Sequence, residues 1–286
     1  MAMPSAREKG VPHRAGACSG ALLLALGTAF PVHAQMTWRS APEMVVHEPG
    51  GAGGHDGHGR RSTGIYLRNG NDAVVSLWNP SLVQSPLAPA KPDGQVVVRP
   101  TGVDNYHLLV AKRQSPAGEE VALRYMYMRG KPSDESPSRL LGATKVTLEI
   151  VPSPLPREHW RYQTSTPAVF IIRLDGKPLP GQPVRLVTTN GTLMEALTDQ
   201  AGKVRFQLPE DFSHVLPGRE SNVPAEFIVS TAYGHGDSRH LTSLSAQYHV
   251  NPSHWESSLG GMFALLAGFV GGMALWRRLP TEGRSP

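Results

Sequence analysis

Histidines and acids are the residues here whose spacing could do chemistry. The chain holds 12 histidines and one cysteine, Cys18. His47 stands just upstream of a glycine-rich tract, Gly50 to Gly59, which contains His55-Asp56-Gly57-His58. Neutral imidazoles and a carboxylate on flexible backbone suit a borderline cation: Ni2+ or Co2+, and less readily Cu2+. The bland alternative is a histidine-dotted linker that binds metal only adventitiously. A second set is His235-Gly236-Asp237-Ser238-Arg239-His240, with His249 on the following strand and His254 beyond it. Its alternative is a solvated hairpin tip, since Arg239 would oppose a cation. Met126 and Met128 share one strand face and are soft enough for copper, but core filling is the commoner use of methionine.

Catalytic patterns are missing from the sequence. There is no Gly-x-Ser-x-Gly elbow, phosphate loop, dinucleotide fingerprint or His-Glu-x-x-His pair. Lys+Arg 28 against Asp+Glu 23 gives a net charge of +5, and no basic stripe interleaved with aromatics supports nucleic-acid binding. The expectation is a protein that binds and does not catalyse.

Both ends of the 286 residues look like addresses. Arg7, Lys9 and Arg14 precede a short apolar core, Ala21 to Gly27, and then Pro31-Val32-His33-Ala34. This is the layout of a secretory signal over 1–34, cleaved after Ala34, with an uncleaved anchor as the competing reading. Cys18 would leave with it. Leu259 to Trp276 is uncharged, is bracketed by Trp255 and Trp276, and is followed by Arg277-Arg278. At ~1.5 Å per residue it reaches ~27 Å, close to the ~30 Å of a hydrocarbon layer. A transmembrane helix over 258–276 is expected, with 277–286 cytoplasmic by the positive-inside bias. The alternative, a buried core helix, leaves no polar face for water. Gly260, Ala264, Gly268 and Gly272 recur every fourth residue. They form a smooth ridge that could seat another helix, from a second copy or from a multi-span permease. The predicted location is the inner membrane, single-pass, with the bulk in the periplasm.

Between the ends the pattern is that of strands. Gly 30 and Pro 26 are high for a helical protein. Residues 35–61 read as a flexible segment. From Gly64, short apolar runs alternate with turn clusters, beginning with a hairpin signal at Asn69-Gly70-Asn71-Asp72. Pro152, Pro154 and Pro156 suggest a boundary. The expected architecture is all-β: two Ig-like or transthyretin-like β-sandwich domains, 62–151 and 157–252, plus the C-terminal helix. In the second, Phe170, Ile172, Val184, Leu186, Val204, Phe206 and Ile228 supply alternating core positions.

Asp175-Gly176-Lys177-Pro178-Leu179-Pro180-Gly181, Val184-Arg185-Leu186 and Thr198-Asp199-Gln200-Ala201-Gly202-Lys203-Val204-Arg205-Phe206 resemble the carboxypeptidase-regulatory-like, transthyretin-like sandwich. In that pattern Asp199 forms a side-chain turn, Gly202 takes positive φ and Phe206 enters the core. Roughly 105–250 plus the anchor resembles exported bacterial proteins of this kind with a C-terminal membrane helix, accessory components of nickel and cobalt uptake. The resemblance implies a membrane-anchored periplasmic accessory to transition-metal uptake, with a metal permease as partner. The alternative is a periplasmic protein-binding or scaffold module with no metal role.

Overall fold

A computed structural model describes residues 35–40, 63–116, 118–156, 161–235, 238–256 and 258–276. These residues fall within one compact unit, Pro31–Pro286; the other unit, Met1–Phe30, lies outside the description, as does the expected signal over 1–34. In chain order the strands are β1 Thr37–Arg39, β2 Thr63–Arg68, β3 Val74–Trp78, β4 Gln84–Pro86, β5 Gln95–Val98, β6 Val103–Ser115, β7 Gly118–Met128 and β8 Lys131–Pro132. After the short helix α1 (Pro137–Gly142) come β9 Leu148–Pro152, β10 Tyr162–Gln163, β11 Pro167–Leu174, β12 Lys177–Pro178 and β13 Pro183–Thr188. β14 Leu193–Leu197, β15 Lys203–Gln207, β16 Ala225–His235, β17 Ser238–His249 and the helix α2 Ser258–Trp276 complete the chain. The chain is therefore mostly β, as the sequence implies.

The strands form three sheets. A central ten-stranded sheet runs β14-β13-β16-β17-β7-β6-β3-β4, with β10 beside β17 and β8 beside β6. An N-terminal sheet has the order β1-β2-β5, and a C-terminal sheet groups β12, β11, β15 and β9. The central sheet packs on both faces. Leu108, Val110, Val121 and Leu123 meet Phe170, Ile172 and Phe206 in one core. Leu109, Ala111 and Ala122 meet Met36, Trp38, Ile65 and Val96 in the other. Successive side chains on a strand point to opposite faces, so a strand buried on both sides reads as an unbroken apolar run, here Leu108-Leu109-Val110-Ala111.

The central sheet is continuous because β7 and β17 pair in parallel, from Arg239↔Gly118 to Leu244↔Leu123. Gly118 makes the junction possible. Its φ is +131°, and a Cβ there would run into the Arg239 carbonyl. β9 pairs with β11, from Leu174↔Leu148 to Phe170↔Pro152, so this strand, which ends on the first of the three prolines, belongs to the C-terminal sheet.

Two turns form as their residues dictate. Asp175 and Gly176 have φ of +50° and +77°, the signature of a tight hairpin between β11 and β12. Asp199 Oδ1 accepts from the amides of Ala201 and Lys203, each at 2.8 Å. Gly202 has φ +68°, and a Cβ on it would lie 2.7 Å from the Ile172 carbonyl. Phe206 is buried in the core.

Three sequence expectations need correction. The Asn69–Asp72 turn forms, with Asn69 at φ +55° and Ala73 N donating to Gly70 O at 3.0 Å, but it does not close a hairpin. β2 and β3 lie in different sheets and face each other across the second core, so the turn carries the chain from one layer to the next. Ile228 is buried but stands apart from the Phe170 core; its neighbours Phe227 and Val229 fill that core instead. Finally, the start of the 35–61 segment carries a strand of the fold. Met36 and Trp38 are completely buried on and beside β1. Long-range pairing supplies what a local reading could not see: β1 pairs with β2, and its side chains enter a core that also draws on β3, β5, β6 and β7. The rest of that segment, 41–61, lies outside the described residues.

Helix α2 spans Ser258–Trp276 without a charged residue. Leu265 and Phe269 on it are 76% and 66% exposed. Among the described residues no helix is long and apolar enough to cross a membrane; the side chains of 258–261, 263, 264 and 275 are outside the description.

Candidate functional site

The histidine sets divide when placed on the sheet. His47, His55, Asp56, His58 and Asp237 lie outside the described residues, and the side chain of His235 is also outside. β1 and β2, which flank the glycine-rich tract in sequence, pair antiparallel from Thr37↔Arg68 to Arg39↔Tyr66. β16 and β17 form a hairpin with Tyr233↔His240 and His235↔Ser238, so His240 stands two register positions from the end of β16. His249 is nine positions further along β17. At ~3.3 Å per residue that is ~30 Å away, and the odd spacing turns it to the opposite face. His240 and His249 therefore cannot share one ion. Among the described residues, no group of three or more His, Cys, Asp or Glu side chains is arranged to hold a metal.

His240 has other company. Its partner in the β17–β7 register is Glu119, and His240 Nδ1 lies 3.3 Å from Glu119 Oε2. Lys112 Nζ reaches Glu119 Oε1 at 2.5 Å. Burial of Glu119 favours the neutral acid, but hydrogen bonds from Lys112 and Thr147, the Lys112 charge and His240 outweigh it and hold the carboxyl below its ordinary range. The carboxylate is thus neutralised by an ammonium, which competes with any cation approaching His240.

A densely connected polar group joins four strands, β1, β7, β16 and β17, and the sequence did not flag it. Glu226 on β16 is buried and takes Arg124 Nη1 from β7 at 3.0 Å. Ser40, just past β1, donates to the same oxygen from its amide at 3.0 Å and from its hydroxyl at 2.7 Å. Arg124 Nη2 in turn donates to Ser40 Oγ at 2.6 Å, and Gln247 Nε2 donates to it at 2.9 Å. Arg39 lies 3.7 Å from the second oxygen of Glu226. Met36 N donates to Glu120 Oε1 at 2.7 Å, Ser243 Oγ donates to Met36 O at 2.6 Å, and Trp38 Nε1 donates to Ala122 O at 2.9 Å. The whole set clamps residues 36–40 onto the central sheet. Its one local signal is the alternation of Met36 and Trp38 with polar neighbours.

Other buried polar groups are structural too. His107 is fully buried, with Nδ1 3.0 Å from Asn105 O and Nε2 2.8 Å from Thr101 Oγ1. Burial lowers its pKa, so the ring is held neutral. Lys145 Nζ lies 2.7 Å from Glu149 Oε1, both side chains being fully buried, and Lys145 also donates to the Leu140 carbonyl at 2.7 Å near the end of α1. Burial pulls the Lys145 ammonium down and pushes the Glu149 carboxyl up, although each charge opposes the other's shift. A cleft of about 480 Å3 opens beside Asn190, Asp211, Phe212 and His214. Burial works to raise the Asp211 pKa, but hydrogen bonds from Thr188, Tyr248, Thr192 and Asn190 prevail and hold it low. With four donors already in place, that carboxylate props up the loop and is not poised for proton transfer.

No protein-family model matches the sequence. No curated protein matches it either. Among solved structures, one from a 1.5-MDa bacterial ice-binding adhesin is 14% identical, covers 68% of this chain and 58% of its own, and gives a TM-score of 0.25. A Ca2+-stabilized adhesin from an Antarctic bacterium is 12% identical over 76% of this chain and 49% of its own, with a TM-score of 0.24. A segment of two fibronectin type-III domains from chicken tenascin is 12% identical over 66% of this chain and 93% of its own, with a TM-score of 0.21. This chain thus spans about half the length of the two adhesin structures it resembles.

Proposed function

We propose that this chain is a membrane-anchored, exported, non-catalytic module that acts by binding, with its β-structure held outside the membrane by α2. The observation that carries the proposal is the uncharged run of α2 taken at its full length in the sequence, including 258–261, 263, 264 and 275, whose side chains lie outside the description. Its nineteen residues include no charge, and Leu265, Phe269 and Val270 stand exposed where water would penalise them and acyl chains would not. The Arg277-Arg278 pair sets the C-terminus on the cytoplasmic side and the bulk in the periplasm. Consistent with a binding role, Glu119, Glu226 and Asp211 are each engaged by neighbouring donors. Membrane fractionation with alkaline wash, followed by protease treatment of spheroplasts, tests this reading. The full chain should stay with the membrane and be digested from outside; release by the wash or full protection overturns it.

A second reading, accessory to nickel or cobalt uptake beside a permease, is favoured by the pairing of the two strands that flank the histidine tract in sequence. β1 and β2, the strands on either side of the stretch of sequence that holds His47, His55, Asp56 and His58, pair with each other. Ni2+ titration of the full chain against the His47→Ala, His55→Ala, His58→Ala triple variant decides it. Binding that disappears in the variant, and in wild type fades as pH drops through about 6.5, supports a capture loop. Equal binding by both proteins, or none by either, leaves the scaffold reading.

A further inference from the structure

The central sheet has two ends, and they are finished differently. At one end β4 is three residues long and closes with Pro86, a device that discourages further pairing. At the other end β14 reads Leu-Met-Glu-Ala-Leu, with neither proline nor lysine, and among the described residues it pairs with β13 alone. Leu193 and Leu197 on it are 56% and 66% exposed.

The register shows which backbone groups are unused. Thr188 N donates to Thr192 O at 2.9 Å and Thr198 N to Gln182 O at 3.0 Å, flanking the pairs Leu186↔Met194 and Val184↔Ala196. In an antiparallel ladder hydrogen-bonded and non-bonded pairs alternate. Even-numbered residues of β14 therefore bond to β13. Leu193, Glu195 and Leu197 turn both N–H and C=O to the outer edge, and their side chains share one face.

We infer that β14 pairs antiparallel with β14 of a second copy of this chain, centred on Glu195, so that two central sheets join into one. The strand is symmetric about that residue. Leu193 of one copy would lie opposite Leu197 of the other, twice, and Glu195 opposite Glu195. All three facing pairs are of the hydrogen-bonding kind, which gives a closed two-fold ladder. The two central carboxylates would repel each other but for Arg185 on β13, whose Nε and Nη2 lie 2.8 and 2.6 Å from Glu195 Oε1. The joint thus carries a row of four charges, Arg-Glu-Glu-Arg, flanked by leucine pairs. The same edge in a heteromeric complex would lack this symmetry.

Disulfide trapping of the full chain in membranes, in a Cys18→Ser background, tests the register. Facing residues in a hydrogen-bonded pair have Cα atoms ~5.5 Å apart, within disulfide reach. Glu195→Cys should therefore give a covalent dimer of twice the chain mass. Leu193→Cys alone should not, since its counterpart is displaced by four residues, whereas Leu193→Cys mixed with Leu197→Cys should. Adding Leu193→Lys and Leu197→Lys to Glu195→Cys sets lysine opposite lysine. That should cut trapping at position 195 at least tenfold while leaving the melting temperature unchanged. Equal trapping at 193 and 195, no trapping at 195, or an adduct to a protein of different mass overturns the inference. Because trapping reports on β14 alone, its failure leaves the membrane-anchor reading standing.

Discussion

Trp38→Ala separates a structural N-terminal strand from a flexible one. Trp38 is fully buried in the second core, and its indole N–H donates to the Ala122 carbonyl at 2.9 Å. Truncating a buried tryptophan costs ~3–5 kcal/mol through lost transfer energy and the cavity left behind. The stranded Ala122 carbonyl adds up to ~1–3 kcal/mol, less whatever water recovers in the cavity. A conservative total of ~4 kcal/mol corresponds to a fall in melting temperature of about 8–16 °C at ~2–4 °C per kcal/mol for a protein of this size. Trp38→Phe keeps most of the ring and loses the donor, so ~1–3 kcal/mol is expected. Thermal melts of the full chain in detergent, followed by near-UV circular dichroism, read both values. If Trp38→Ala melts within a degree or two of wild type, then residues 35–40 do not belong to the fold and the second core is wrong.

Three further outcomes follow from other parts of the molecule. Glu226→Gln leaves Arg124 buried without its counter-charge and should destabilise by ~3–5 kcal/mol, whereas adding Arg124→Met should restore much of the loss; simple additivity in urea melts would contradict the shared network. His107 has a folded-state pKa below the ~6.5 of an unfolded imidazole, so its contribution is complete above pH ~6.5 and is lost as pH falls below that value. His107→Gln should flatten the melting temperature between pH 7 and 5 if this ring is responsible, and an unchanged slope would clear it. A Cβ at Gly268 would meet nothing within 4 Å, so Gly268→Leu should insert normally yet block close helix pairing; identical crosslinked species in membranes would make the glycine ridge incidental.

What could be read from the sequence was whatever local chemistry dictates. The Asp175-Gly176 turn, the Asp199–Gly202 turn and the alternation that buries Val204 and Phe206 depend on residues within a few positions of one another. The helix Ser258–Trp276 also coincides with its uncharged run. The Asn69–Asp72 turn was legible as a turn, but not as a crossing between layers. Backbone angles at Asn69 are set locally, whereas the partner of β2 is chosen by Met36, Trp38 and Val96 across the core.

The candidate site was harder to read for the same physical reason carried further. A histidine motif records which ligands are close in sequence, but a β-sheet sets neighbours by register. Register places His240 against Glu119, more than a hundred residues earlier, and puts His249 on the other face. It also brings Glu226, Arg124 and Ser40 into one hydrogen-bonded group although none of them is near another in the chain. Each of these residues alone is an ordinary surface type. The parallel joint between β7 and β17, opened by the missing Cβ of Gly118, makes them neighbours. The outer edge of β14 follows the same rule. Its leucines look like one more half-buried strand, and what distinguishes them is that no next strand pairs with β14 on that side among the described residues.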